Sequence, residues 1–156
     1  MEEIHANPFI TGAKRVFKTM LDIDLINMEP VTKSSKRTTA DVTGVMGFTG
    51  DRRGTMAVGM STSGAIMIYN KLFNEKYSVV TREITDAVGE LTNIISGQTR
   101  RELESANLHL VAHVPMVLVG KDIAIIFVTK GELTTIPFSF TLNGTTEELN
   151  LDYVFE

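Results

Sequence analysis

At 156 residues, 43% of them hydrophobic and 22% charged, the chain is long enough to bury a sizeable core and is expected to form one domain over residues 1–156. It has no cysteine, which removes disulfides, thiolate metal sites and a thiol nucleophile and fits a cytoplasmic address. A formal net charge of −4, an acidic start (MEEIHANPF) without a signal-like apolar run, and no apolar stretch of spanning length argue against nucleic-acid binding, secretion and membrane insertion.

Asn7-Pro8 reads as a helix cap followed by proline at the first helical position. Phe9, Ile10, Ala13, Val16, Phe17, Met20 and Leu21 then recur at helical spacing and predict an amphipathic helix. From about 24 to 60 the pattern turns to β-type residues, with strand segments at 27–32, 37–49 and 55–60, and Gly50-Asp51-Arg52-Arg53-Gly54 is expected to turn a hairpin. Lys33, Lys36 and Arg37 read as a solvated loop rather than a basic patch. Ser61, Thr62 and Ser63 offer caps for a short helix that would carry Ala65, Ile66, Ile68, Tyr69, Leu72 and Phe73 toward the core and end at Asn74. A longer helix is expected from about 78 or 81 to 106, with Ile84, Ala87, Val88, Leu91, Ile94, Ile95 and Leu103 mostly on one side.

Three strand-like runs follow at 108–119, 122–129 and 133–142, with Gly120-Lys121 and Lys130-Gly131-Glu132 as turns. Alternating Leu149, Leu151, Tyr153 and Phe155 predict a last strand at a sheet edge, a place where another chain could pair. Helices interrupting blocks of consecutive strands point to an α/β sandwich: a largely antiparallel sheet packed with two longer helices and one short helix.

The long helix is the informative element. At about 100° per residue, Asp86, Glu90, Asn93 and Gly97 fall within an arc of roughly 60°, opposite Ile84, Val88, Leu91 and Ile95. A carboxylate and an amide thus stand one turn apart in a single polar row. Gly89 and Gly97 each cost a helix about 1 kcal/mol relative to alanine. Their missing side chains would lower the rim around Glu90 and Asn93, so that another protein's backbone could come close, and Gly89→Leu and Gly97→Leu are expected to block a partner without unfolding the domain. Spacing alone favours an ordinary solvated face, with the glycines serving local packing.

Other motifs are weaker. His109 and His113 fall on one face of an expected strand but have no third metal ligand nearby. Gly44, Gly47, Gly50, Gly54 and Gly59 lack the Gly-Lys-Ser/Thr ending of a phosphate loop. Met46, Met56, Met60 and Met67 read as core filler. Asp86 and Glu90 as an acid–base pair would need a sugar cleft that an exposed helix does not make.

The stretch Asp86-Ala-Val-Gly89-Glu90-Leu-Thr-Asn93-Ile-Ile-Ser-Gly97 resembles the signature of the CheX/CheC/FliY phosphatase family: an Asp or Ser, then Glu, then Asn at these intervals, with a glycine before the glutamate and another four residues after the asparagine. Pro115, in His-Val-Pro-Met of the next strand, belongs to the same likeness, and so does the order of elements along most of the chain. CheC-like members carry two copies of the motif. The helix between Ser61 and Asn74 has no equivalent Glu and Asn, which favours the CheX branch.

The resemblance implies a CheC-like fold, a homodimer joined through its sheets, and hydrolysis of the aspartyl phosphate on a CheY-like response regulator in chemotaxis, with no phosphoenzyme. An acyl phosphate already has a good leaving group, so a helper need only orient water. The Asn93 amide can hold a water and touch a phosphoryl oxygen at once. Glu90 would need a cation beside the anionic phosphoryl group; the resemblance implies a partner's lysine, making Glu90 a docking and orienting anion, with general-base action as the alternative. Asp86 is expected to support Glu90 or the interface edge. The catalytic assignment is therefore Glu90 and Asn93, with Asp86, Gly89, Gly97 and Pro115 binding the partner or supporting them. No metal or cofactor is expected in this chain, and Mg2+ is expected in the regulator. A non-catalytic module that binds a phosphorylated regulator in a chemotaxis or flagellar-switch assembly would use the same helix.

Overall fold

An amphipathic helix must bury its stripe against another element, and here three helices bury theirs on one face of one sheet. The structure, a computed structural model, describes residues 3–156; Met1 and Glu2, the first residues of the acidic start, lie outside them. The elements run α1 (Asn7–Leu21), β1 (Ile26–Asn27), β2 (Val31–Lys33), β3 (Arg37–Gly50), β4 (Gly54–Met60), α2 (Thr62–Phe73), α3 (Arg82–Glu104), β5 (Leu110–Ala112), β6 (Met116–Ile126), β7 (Leu133–Leu142) and β8 (Thr145–Phe155). Every strand pairing is antiparallel, in the order β1-β7-β8-β4-β3-β5, with β2 also on β7 and β6 also on β3. This is the expected α/β architecture with two longer helices and one short one.

Strand alternation sorts the side chains. Val42, Met46 and Phe48 of β3, Met56, Val58 and Met60 of β4, Ile136, Phe138 and Phe140 of β7, and Leu149, Leu151, Tyr153 and Phe155 of β8 meet the buried faces of the helices in the main core. Phe9 of α1 stacks on Tyr153 with ring centroids 4.1 Å apart, and Phe17 lies 5.7 Å from Phe140, so α1 is anchored across β7 and β8.

Five sequence expectations change. The first helix starts at Asn7 with Ala6 as its cap: Asn7 is helical rather than a cap, and the Ala6 carbonyl accepts from Phe9 N and Ile10 N, both at 3.0 Å. The strand expected at 27–32 is two short pieces, β1 and β2, both paired with β7 and separated around Pro30, which has no N–H to give a ladder.

The turn expected at Gly120-Lys121 is instead a bulge inside the continuous strand β6. Ala40 pairs with Ile123 and Val42 with Val119, so three residues of β6 face Asp41 alone. Asp41 Oδ1 accepts from Asp122 N at 3.0 Å, and Asp122 takes the left-handed conformation at φ 50°. The strand expected from 108 ends instead at Ala112, and Pro115 stands in the link between β5 and β6. Finally, β8 is not an edge: it sits between β4 and β7, and β6, paired only with β3, is the long edge strand among the described residues.

Beyond the bulge the chain bends over the back of the sheet. Phe127 N donates to Lys36 O, and Phe127 and Ile125 close a second, smaller apolar cluster with Ala57, Leu133, Val154 and Val45. Asp152 lies beside this cluster on the same face of β8, fully buried, with Oδ1 accepting from the Thr135 hydroxyl and Oδ2 without a partner among the described residues. Burial pushes its carboxyl pKa up, against the opposing influence of the Thr135 and Thr38 hydroxyls and Lys33. The folded carboxyl therefore holds its proton to higher pH than the unfolded one. Its contribution to stability is full below the unfolded pKa and declines as pH rises through the folded pKa. Asp152→Asn, which keeps the acceptor and removes the charge, is expected to gain stability relative to the unsubstituted protein as pH rises from acid to pH 8, as read from denaturant unfolding across pH. Parallel pH profiles for the two proteins would contradict this.

Candidate functional site

The helix α3 begins where Thr81, in extended conformation, accepts from Ile84 N at 3.4 Å, with Glu83 in the first turn where a negative charge suits the exposed N–H groups. It is then gripped from three sides by close approaches, two that a side chain would forbid and one that it would crowd. A Cβ on Gly12 of α1 would sit 2.8 Å from Thr99 Oγ1; one on Gly44 of β3 would overlap the Thr92 side chain; one on Gly89 would lie 3.1 Å from Val117 Cγ2 of β6. The hydroxyls that face these neighbours turn back on the helix itself, Thr92 Oγ1 donating to Val88 O at 2.8 Å and Thr99 Oγ1 to Ile95 O at 2.9 Å. Small, self-satisfied residues thus let α3 lie directly on β3 and α1.

The opposite side of α3 carries the polar row. Asp86 and Glu90 are exposed, Asn93 and Gly97 are half-buried, and among the described residues no hydrogen bond or ion pair engages the side chains of Asp86, Glu90 or Asn93. Ser96 Oγ donates to Asn93 O at 2.9 Å, which ties the backbone and leaves the amide side chain unused. An anion and a donor–acceptor amide are therefore presented together from a fixed helix, without a competing partner. Such a row can pair a cation and orient a water or an oxyanion.

The other expected site residues are divided. Gly97 lies on the row, with open space where a Cβ would be. Gly89 does not: it is buried and faces β6, so its missing side chain serves helix–sheet packing rather than a low rim. Pro115 lies just before β6, whose Val117 is the residue against Gly89. The short helix also differs from expectation at its end. Ala65 and Ile68 are buried, but Phe73 is 53% exposed and Tyr69 and Leu72 only partly covered. They border an apolar pocket between α2 and α3 in which Glu90 also takes part. Sequence reasoning missed this pocket, because helical periodicity put these aromatic positions in the core.

The remaining motifs are used structurally. Gly54 and Gly59 give room to Phe155 and Ala40, as Gly44 does to Thr92. Met46, Met56 and Met60 are buried in the core. His109 and His113 flank β5 rather than sharing its face: His109 N donates to Asp51 Oδ2 at 2.8 Å, and the His113 ring lies 3.2 Å from Thr49 Oγ1. Among the described residues no group of three or more His, Asp or Glu is placed to hold a metal ion, and no helix is long and apolar enough to cross a membrane.

The family model for chemotaxis phosphatase CheX matches residues 42–139, a span that includes the whole polar row. Among solved structures, the chain is similar to the chemotaxis protein CheX from Desulfovibrio desulfuricans at 31% identity and a TM-score of 0.88, covering 97% of this chain and 98% of that one. It is similar to CheX from Vibrio vulnificus at 28% identity and a TM-score of 0.86, covering 96% and 97%. The CheX–CheY–BeF3–Mg2+ complex from Borrelia burgdorferi shares the fold at 23% identity and a TM-score of 0.80, covering 99% of each chain. No curated protein matches the chain in sequence.

The two glycines of α3 should respond differently to the same substitution. Gly97→Leu fills open space and is expected to keep or slightly raise the melting temperature, whereas Gly89→Leu collides with Val117 and should lose about 1–3 kcal/mol. Equal losses in thermal unfolding would mean that α3 is not seated as described.

Proposed function

We propose, from the premise that this chain belongs to the CheX family of chemotaxis phosphatases, that it accelerates hydrolysis of the aspartyl phosphate on a CheY-like response regulator. The observation that carries this reading is the placement of Glu90 and Asn93: adjacent turns of one rigidly seated helix, facing solvent, with neither side chain engaged among the described residues. Residues 1–156 act as one domain in this reading.

Phosphoryl transfer from an acyl phosphate gains from positioning and electrostatics rather than from new covalent chemistry. Asn93 enters the regulator's phosphorylation site, where its carbonyl oxygen accepts from the attacking water and its NH2 donates to a phosphoryl oxygen, holding the two in line. Glu90 pairs with a lysine of the regulator, which fixes the register of docking and neutralises a carboxylate that would otherwise repel the phosphoryl group. Asp86 lies one turn earlier and supports that ion pair or the interface edge, and Gly97 leaves room at the far end of the row. No phosphate is transferred to this chain. The presence of CheY, BeF3 and Mg2+ with the Borrelia protein supports a partner that brings its own metal, held in the regulator's acidic pocket.

The dimer is read from the sheet. β6 offers an 11-residue strand paired on one side only, with Met116 59%, Val119 48% and Ile126 67% exposed, so two copies joined through this edge would cover an open ladder and exposed apolar side chains along it. This moves the expected pairing edge from the terminal strand to β6.

Asn93→Ala leaves the packed side of α3 untouched and is expected to keep the fold and the affinity for a beryllofluoride-loaded regulator while lowering the dephosphorylation rate by about 10² to 10³, the scale of one lost catalytic hydrogen bond. Phosphate release from phosphorylated regulator checks the rate and calorimetry the affinity. Near-normal turnover in that variant would remove Asn93 from the mechanism.

A further inference from the structure

Next to Glu90 lies an apolar pocket of about 140 Å3, walled by Ile68 and Leu72 of α2 and by Ile84, Ala87 and Val88 of α3. Its size is close to the cavity of about 150 Å3 that admits one benzene ring in an engineered core. Glu90 is the one charged residue in its lining. The outer rim is aromatic. The Tyr69 ring lies 4.7 Å from Phe73 and 5.4 Å from Tyr77, and Phe73 and Tyr77 are 53% and 37% exposed.

This cluster is held in place rather than left over. Asn74 closes α2 in the left-handed conformation at φ 53°, and the turn beyond it is clamped by the Asn70 side chain, whose Nδ2 donates to Tyr77 O and whose Oδ1 accepts from Tyr77 N, both at 3.0 Å. A buried-core role would not leave Phe73 half in water, and two rings lining an apolar pocket, Tyr69 and Phe73, with Tyr77 packed beside Tyr69, form the kind of patch that marks an interaction site.

From this arrangement we infer that the pocket between α2 and α3 is a second docking point for the same phosphorylated regulator, receiving an apolar or aromatic side chain that the regulator carries beside the cation paired with Glu90. The inference rests on the phosphatase reading. What selects the occupant is continuity: Glu90 belongs both to the polar row and to the pocket's lining, so a molecule that engages Glu90 is brought beside the pocket. A carboxylate set against an apolar hollow fits a surface where a lysine or arginine adjoins an apolar residue. The pocket then contributes affinity and choice of regulator, because it touches the partner away from the phosphoryl group.

The test uses the full chain and a phosphorylated CheY-like regulator, with Phe73→Ala to remove the rim and Ala87→Phe to fill the pocket from its half-exposed wall. Each is expected to raise KM about ten-fold and leave kcat within about two-fold, with a matching loss of affinity for the beryllofluoride-loaded regulator. Asn93→Ala measured in parallel separates the two readings. If Asn93→Ala abolishes turnover while both pocket variants keep the wild-type KM, the docking inference fails and the phosphatase reading stands; if the unsubstituted protein leaves the decay of the phosphorylated regulator unchanged, the phosphatase reading itself fails. A fall in kcat at unchanged KM in the pocket variants would also overturn the inference. So would a concentration-dependent dimer weakened by Phe73→Ala, which would place a second copy of this chain in the pocket.

Discussion

The contact on which the site depends is the seating of α3 against β3 and α1, where Thr92 lies over Gly44 and Thr99 over Gly12. Any larger residue at either glycine would lift the helix off the sheet or away from its neighbour. Because both hydroxyls satisfy themselves on helix carbonyls, the contact needs no polar partner from the sheet and can be dry. A helix held this way cannot roll, so the residues on its outer side have fixed directions. A catalytic amide whose task is orientation requires that, since a displacement of about 1 Å can cost on the order of 10² in rate.

The same seating divides the helix between two tasks. Ile84, Val88, Leu91 and Ile95 hold it to the core, while among the described residues no hydrogen bond or ion pair engages the side chains of Asp86, Glu90 and Asn93. Side chains held so firmly at their base and so free at their tips are suited to completing a partner's site rather than a site of their own. Little else in the chain offers chemistry. It has no cysteine, His109 and His113 flank a short strand, and the one buried carboxylate among the described residues, Asp152, sits on the back of the sheet, away from the helices. In the proposed mechanism the metal, the acyl phosphate and the cation come with the regulator, and this chain supplies an oriented amide and a docking anion.

Much of this was legible in the residue pattern, and the exceptions have physical causes. Periodicity located α1, α2 and α3 because each has a continuous buried stripe, and the Asp86–Gly97 spacing placed the polar row because helical geometry leaves it no freedom. The bulge in β6 was not legible: Gly120-Lys121 has the composition of a turn, and only the Asp41 carboxylate across the strand, capping Asp122 N, keeps the ladder going. The place of β8 was hidden for a similar reason, since alternation shows that one face of a strand is buried and says nothing of which strands flank it. Gly89 looked like Gly97 in sequence, and the difference is Val117, a residue 28 positions away. The exposure of Phe73 was hidden because an exposed aromatic at the end of a helix leaves the same helical signature as a buried one.

The central claim is that the polar row of α3 does chemistry and does not merely hold a partner. The most direct measurement follows decay of the phosphorylated CheY-like regulator with this protein present at a small fraction of the regulator's concentration. The account predicts faster decay that continues through many regulator molecules per molecule of this protein and saturates as regulator is raised. Binding of the phosphorylated regulator with its intrinsic decay rate unchanged would contradict it.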